Sequence, residues 1–372
     1  MELNVSEVED TNEKRPGQPL KRGWTTGTCA TAATRAAYEA LVTGECPDPV
    51  EVQLPNSARI SFAVAVFESF DGGATAGIVK DAGDDPDVTH GALVKATVRA
   101  GAPGSGVSFV AGEGVGTVTK PGLPVPPGEP AINPVPREMM RTAVREVAER
   151  FGASGDVIVE LSIPGGEALA AKTLNARLGI LGGLSILGTT GVVIPYSCAA
   201  WIHSIHRGID VARASGLKHI AGSTGSISEM AVQKLYGLSE TALIDMGDFA
   251  GGMLKYAKRH PVPRLTIAGG FAKMTKLGQG LLDLHSKSGS VDRIWLSELL
   301  REAEAPAELI ELCRHANTAA LVLQEAEKRG IPIGQFVAKA AWKTAARVLD
   351  GSRIALDVAV FDRDGQVVGR WG

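Results

Sequence analysis

Hydrophobic and polar positions change rhythm near residue 197. Before it, short apolar or alternating runs bounded by Gly, Pro and Asn predict strands at 50–54, 60–67, 75–80, 93–99 and 107–110. Alternation through 61–67 places Phe62, Val64 and Val66 on one face of a half-buried strand. An alanine-rich run reaching Leu41 predicts one helix. A second starts at Pro136, with Met140, Val144 and Val147 at helical spacing and Gly152 as its stop. A strand near 156–163 closes this half. Past 197 the order becomes helix 198–214, strand 217–221, helix 228–236, strand 241–246, a helix to 258, strand 264–268 and a further helix. That strand–glycine turn–helix recurrence belongs to an open, mainly parallel sheet. Helical periodicity dominates 291–348, and the chain ends in a hairpin turning at Asp364-Gly365.

The pattern thus predicts two domains: a strand-rich N-terminal α+β domain, then an open, mainly parallel α/β domain with C-terminal helices and hairpin. The expected limits are a disordered tail at 1–20, the α+β domain at 21–174, a joint at 175–197 and the α/β domain at 198–372. The joint, N-A-R-L-G-I-L-G-G-L-S-I-L-G-T-T-G-V-V-I-P-Y-S, is apolar and rich in glycine. It reads as buried backbone in close approach to another element, and as one wall of a binding cleft. Prolines crowd the segment 112–136 and exclude regular structure over most of it, which marks a long ordered loop of the functional kind.

Composition narrows the function classes. The 372 residues exceed one ordinary core, consistent with two domains. A net charge of −3 and aromatics at 5% argue against nucleic acid or an anionic membrane surface as partner. Four scattered cysteines without C-x-x-C spacing fit a reducing cytoplasm rather than a disulfide framework or a zinc cluster. The polar, acidic N-terminus has no signal-peptide core, and no apolar run is long enough to span a membrane.

Candidate chemistry falls in three places. Thr25, Thr26 and Thr28 open the first helix beside glycines, where they cap the helix or, with its free N–H groups, hold an anion. The run Lys80-Asp81-Ala82-Gly83-Asp84-Asp85-Pro86-Asp87-Val88-Thr89-His90 is either a solvated turn or a set of acid/base and hydrogen-bonding groups facing a substrate. It lacks the twelve-residue calcium loop. In the second half, consecutive strands end in Gly222-Ser223-Thr224-Gly225, in Asp245-Met246-Gly247-Asp248 and in Gly269-Gly270. Ligands of open α/β sheets bind beyond such carboxyl ends. A glycine turn followed, one strand later, by a carboxylate suits a nucleoside, although G-S-T-G is not G-x-G-x-x-G. No P-loop lysine motif and no G-x-S-x-G elbow occur. The pair His203 and His206 shares a helix face but has no Asp, Glu or Cys at ligand spacing, and no protein-held metal is expected.

Five motifs taken together resemble the CbiD family, the cobalt-precorrin-5B C1-methyltransferases of the anaerobic route to cobalamin. They are R-G-W-T-T-G-T-C-A (22–30), K-D-A-G-D-D-P-D-V-T-H-G (80–91), G-E-G-V-G-T-V-T-K-P-G-L (112–123), P-A-I-N-P-V-P-R (130–137) and N-A-R-L-G-I-L-G-G-L-S-I-L-G-T-T-G (175–191). The resemblance implies transfer of a methyl group from S-adenosylmethionine to C1 of cobalt-precorrin-5B. Cobalt enters only as part of the substrate. It implies no catalytic set, so the sites stay inferences. Asp84, Asp85 and His90 are the candidates for a base. Arg22, Lys80, Lys120 and Arg137 are candidates to pair with the substrate's carboxylate arms, alongside Thr25, Thr26, Thr28, Asp87, Thr189 and Thr190. Gly222, Ser223, Thr224, Gly225, Asp245, Gly269 and Gly270 are the candidates for the cofactor. Two other classes stay open: a non-enzymatic corrinoid carrier, and a small-molecule kinase using Gly112–Gly116 as a phosphate loop. Homo-oligomerisation is open as well.

Overall fold

The structure is a computed structural model that describes residues 19–372, so the expected tail falls outside it apart from two exposed residues. In chain order the elements are β1 Gly23–Trp24, α1 Thr26–Thr43, β2 Val50–Gln53, β3 Arg59–Phe62, β4 Val66–Phe70, β5 Gly73–Val79, β6 Leu93–Ala100, β7 Val107–Ala111, β8 Thr117–Val118, α2 Pro134–Phe151 and β9 Val157–Ser162. Then come α3 Gly166–Ala170, α4 Asn175–Leu178, β10 Ile180–Leu181, β11 Val192–Val193, α5 Cys198–Ala214, β12 His219–Ser223, α6 Ser226–Tyr236, β13 Leu243–Asp245, α7 Ala250–Arg259, β14 Arg264–Gly270 and α8 Phe271–Gly278. The chain ends with α9 Arg293–Glu302, α10 Ala307–His315, α11 Ala319–Glu327, α12 Ile333–Leu349, β15 Ala355–Phe361 and β16 Val367–Trp371.

Two compact units result, and each is discontinuous. Among the described residues, the first holds those up to 108 with 135–159 and 187–196; the second holds 109–134, 160–186 and 197–372. The segments 109–134 and 160–174, assigned from sequence to the first domain, therefore pack with the second. The expected joint is itself divided at 186/187.

The first unit is built on α1. This helix is buried along most of its length because alanine, glycine and threonine replace bulky residues. Small side chains face it from the sheet: Ala74, Ala76, Val94, Ala96 and Val98 are at most 1% exposed. Close approach of two small-residue surfaces buries backbone as well as side chain, so the packing is tight without large apolar groups. The sheet order is β4-β5-β6-β9-β7, with β4–β5 and β5–β6 antiparallel. The expected single strand at 60–67 is instead two: β3 pairs with β2, and β4 is an edge strand of the larger sheet. Only Phe62 of the predicted apolar face is buried, while Val66 is exposed. The chain bends between them to change sheets, and a period-two pattern cannot show such a bend.

The second unit follows the sequence expectation closely. Its sheet runs β13-β12-β14-β15-β16, parallel through β15 and antiparallel at the β15–β16 hairpin. Helices α5, α7, α8, α9 and α12 contribute Ile205, Met253, Leu277, Leu296 and Val337 to one continuous core. Helix α6 packs with a smaller cluster around Val232 and Phe361. The proline-rich segment is ordered through short pairings. β8 pairs with β10, and Leu184 and Ile186 N–H donate to the carbonyls of Gly114 and Ala131. A Cβ at Gly183 would stand 2.2 Å from the Gly114 carbonyl oxygen, which explains the glycine there. No described helix is long and apolar enough to cross a membrane.

Candidate functional site

In the first unit the motif residues bind one another. Thr25 caps α1 by accepting the Thr28 N–H at 3.2 Å, and its hydroxyl lies 3.0 Å from that of Thr28. The Thr28 hydroxyl in turn donates to the Gly191 carbonyl at 2.8 Å. The Gly27 N–H donates to Leu187 at 3.0 Å. The N–H groups of Gly27 and Thr28, which sequence offered to an anion, are thus spent inside the protein, and the anion-site reading is corrected accordingly. Gly188 sits at φ +139°, and a Cβ there would stand 2.2 Å from the Thr25 hydroxyl oxygen. Thr189 and Thr190 are exposed, and the Thr190 hydroxyl closes a local turn onto Val192.

Lys80 is 2% exposed. Its ammonium donates to Thr26 at 3.2 Å and to Asp87 and Thr89, each at 2.5 Å. Burial alone would push the Asp87 carboxyl up; the adjacent Lys80 charge and its hydrogen bond outweigh that and hold it below the ordinary carboxylate range. Lys80 and Asp87 therefore brace the aspartate loop against the start of α1, and the expectation that Lys80 meets a substrate carboxylate is corrected. Neighbouring Cys29 is buried, which pushes its thiol up to about 12, far from a reactive thiolate.

The remaining loop residues lie nearer the surface. The Lys21 N–H donates to Asp84, and the Lys21 ammonium pairs with Asp81 at 2.6 Å. Asp85 accepts the Tyr196 N–H at 2.8 Å. His90 accepts the Ala82 N–H on Nδ1 at 3.1 Å, so its neutral ring carries the proton on Nε2, in an exposed side chain. In that tautomer the remaining ring nitrogen of His90 donates rather than accepts. Arg22 is exposed and Arg137 half-buried. Lys120 belongs to the second unit, where its ammonium donates to the Arg177 carbonyl at 3.2 Å and to the Thr241 hydroxyl at 2.8 Å.

The second unit brings the three predicted strand ends together. Ser223 is in register with Asp245 on one side and with Ala268 on the other. Gly222 and Gly269 are packing glycines: a Cβ would stand 2.1 Å from the Met253 sulfur and 2.6 Å from the Met274 sulfur respectively. Gly225 and Gly270 face open space, with nothing within 4 Å of an added Cβ, and each precedes a helix, α6 and α8. The Ser223 hydroxyl is buried without a hydrogen-bond partner. Thr224 is buried, its N–H given to Ala268 and its carbonyl accepting Lys273 Nζ at 2.7 Å. Asp245 is half-buried, and its Oδ1 accepts the Gly247 N–H at 3.2 Å. Burial pushes its carboxyl up and nearby Glu229 adds to this, only partly offset by the Gly247 hydrogen bond and by Arg177 and Lys273. A carboxylate acceptor, two open glycines and an orphaned hydroxyl at one sheet edge fit a ribose-bearing ligand.

Comparison with known proteins agrees with the motif resemblance. The CbiD family model matches residues 13–195, and that of the CbiD C-terminal domain matches 283–372. A cobalt-precorrin-5B C(1)-methyltransferase from Bradyrhizobium sp. (strain BTAi1 / ATCC BAA-1182) is 70% identical over 353 residues, covering 95% of this chain and 94% of its own. One of the same description from Agrobacterium fabrum (strain C58 / ATCC 33970) is 62% identical, covering 95% and 93%. The chain belongs to the CbiD family. A crystal structure of cobalamin biosynthesis protein (cbiD) from Archaeoglobus fulgidus is 29% identical and covers 67% of this chain and 77% of that one, with a TM-score of 0.39.

Several groups at the sheet edge of this CbiD chain escaped the sequence reading. Lys273, in the first turn of α8, also pairs with Asp248 at 3.0 Å and so ties the Gly222–Gly225 turn to the loop after β13. Arg177 grips Glu229, in the first turn of α6, through two bonds of 2.9 and 2.8 Å. The Trp201 indole N–H donates to the Asp245 carbonyl at 3.2 Å. Position gave no hint of Arg177–Glu229. Lys273 was findable as the first charge after Gly269-Gly270. His206, set aside as a metal ligand on its spacing, stacks on Tyr256 with ring centroids 3.8 Å apart. Among the described residues no group of three or more His, Cys, Asp or Glu is placed to hold a metal ion. The Gly112–Gly116 run is no open phosphate loop. Gly114 and Gly116 are buried, and a Cβ at Gly114 would stand 2.0 Å from the Ile163 carbonyl oxygen.

Proposed function

We infer that this protein is the S-adenosylmethionine-dependent C-methyltransferase that converts cobalt-precorrin-5B to cobalt-precorrin-6A in anaerobic cobalamin biosynthesis. The reading is carried by close kinship to cobalt-precorrin-5B C(1)-methyltransferases over nearly the whole chain. The sheet edge supports it with a half-buried carboxyl and open space at two glycines, groups suited to a nucleoside. When bound, S-adenosylmethionine supplies a methyl group on a sulfonium. That methyl would pass to the electron pair of the corrinoid C1, with the electrons of the broken S–CH3 bond left on sulfur as S-adenosylhomocysteine.

The chain's task is alignment and exclusion of water. On our assignment Asp245 accepts the ribose hydroxyls. The open space at Gly225 and Gly270 admits the ligand. Lys273 and the Arg177–Glu229 pair hold the surrounding loops. In the first unit the aspartate loop is braced by Lys80. It presents Asp84 and Asp85 as acceptors for a proton lost from the macrocycle, while Arg22 and Arg137 pair with carboxylate arms. Four unbridged cysteines accord with a reducing cytoplasm as its compartment.

The deciding experiment is anaerobic incubation with cobalt-precorrin-5B and methyl-labelled S-adenosylmethionine, followed by mass. One labelled methyl per product is expected; corrinoid binding without transfer would favour a carrier. Asp84→Asn should lower turnover while S-adenosylhomocysteine affinity is unchanged, and full turnover would remove this loop from the chemistry. Asp245→Ala should weaken cofactor affinity selectively.

A further inference from the structure

The carboxyl edge of the second unit's sheet carries an aromatic ring that the assignment above leaves unused. Trp201, in the first turn of α5, is 46% exposed although tryptophan is among the most strongly buried side chains on average. It is nevertheless fixed. Its N–H donates to the Asp245 carbonyl at 3.2 Å. Its Cε2, Cζ2 and Nε1 each lie 3.3 Å from where a Cβ at Gly247 would stand. Gly247 is at φ +52°, in the left-handed region that favours glycine. One short stretch therefore holds both groups. The Asp245 carboxylate accepts the Gly247 N–H, the Asp245 carbonyl accepts the indole, and Gly247 gives the ring its seat.

An anchored indole with a large uncovered surface, beside a carboxylate suited to ribose, has the chemistry to receive a nucleobase. Every base offers a π face, and a purine offers more area than a pyrimidine. We propose that Trp201 is the stacking platform for the adenine of S-adenosylmethionine, positioned by the Asp245 carbonyl and by Gly247. This rests on the reading that the cofactor binds at this sheet edge. The ring contacts the base and not the sulfonium, so its loss is read in cofactor affinity.

The test is calorimetric binding of S-adenosylhomocysteine and of free adenosine to the full chain and its variants. Trp201→Ala should weaken both ligands by the same factor, about tenfold or more. Trp201→Phe should retain part of the affinity. Gly247→Ala keeps the ring but crowds its seat, and should fall between wild type and Trp201→Ala. The chain has five tryptophans, so the optical readout is a difference: ligand quenches fluorescence in the wild type, and the quench disappears in Trp201→Phe. That readout needs no alanine variant and decides the matter should Trp201→Ala fail to fold. Unchanged affinity in Trp201→Ala, or a full quench in Trp201→Phe, overturns the proposal. Asp245→Asn separates the two claims. If it weakens binding while Trp201 variants do not, the platform is wrong and the sheet-edge site stands. If neither residue matters, the cofactor binds elsewhere.

Discussion

The two units treat their motif residues in opposite ways. In the first, the most conspicuous polar residues of the sequence are turned on one another: Lys80 on Asp87, Thr26 and Thr89, and Thr25 on Thr28. In the second, the distinctive residues leave groups uncommitted: open space at Gly225 and Gly270, an unpartnered Ser223 hydroxyl, and an Asp245 carboxyl pushed up by burial. A dense polar motif can thus be a brace, and a sparse glycine-rich one can be the opening. Which it is depends on whether each donor already has an acceptor, and only coordinates supply that count.

The sharpest way to break this contrast is to remove the brace. Lys80→Met strands the Asp87 carboxylate, and losing one partner of a buried pair costs about 3 kcal/mol or more. The urea midpoint should fall accordingly, and Lys80→Met/Asp87→Leu should recover much of it. A midpoint unchanged in Lys80→Met would mean the ammonium is free for substrate after all. Gly188→Ala is next. The required φ of +139° and the contact with Thr25 should cost about 2 kcal/mol, read by the same denaturation.

The opposite expectation holds at the sheet edge. Gly270 has an ordinary φ of −67° and no neighbour within 4 Å of an added Cβ. Gly270→Val should leave stability within about 0.5 kcal/mol and weaken S-adenosylhomocysteine by roughly tenfold, about 1.4 kcal/mol. Loss of stability instead of affinity would show that this glycine is structural, like Gly222.

How legible each unit was in sequence follows from the same difference. The βα rhythm and the strand ends were readable because each signal is local: an apolar run, a glycine, then a helix period. Register then brings Ser223, Asp245 and Ala268 side by side without further information. The first unit defeated local reading twice. The run 61–67 alternates in Phe62, Val64 and Val66, yet the chain changes sheets within it. The threonines at the start of α1 looked like an anion site, yet the Gly27 N–H is given to Leu187 and the Thr28 hydroxyl to Gly191, some 160 residues away. Lys120 was misplaced for a related reason, since its segment returns to pack with the later unit. Trp201 carried no motif, and only its hydrogen bond to Asp245 marks it.

The smallest effect is also the most discriminating, because the two carboxylates should respond to acid with opposite signs. Asp87 is held below its ordinary range by Lys80. Its contribution to stability is fully present above the unfolded carboxylate value of about 3.9 and is lost as pH falls through the lower folded value. Asp245 is pushed above its ordinary range by burial. Its ionised form opposes folding, and that penalty is relieved as pH falls through the raised folded value toward the unfolded one. Urea midpoints measured against pH should therefore diverge between variants. Relative to Asp87→Asn, the wild type loses its advantage below about pH 4. Relative to Asp245→Asn, it gains, starting at a higher pH. The same titration of Asp245 should weaken S-adenosylhomocysteine on the acid side, since a neutral carboxyl is a poorer acceptor for ribose hydroxyls. Parallel pH profiles for the two variants would mean that the edge carboxylate is as firmly paired as the braced one, and the opposition between closed and open units would fail there.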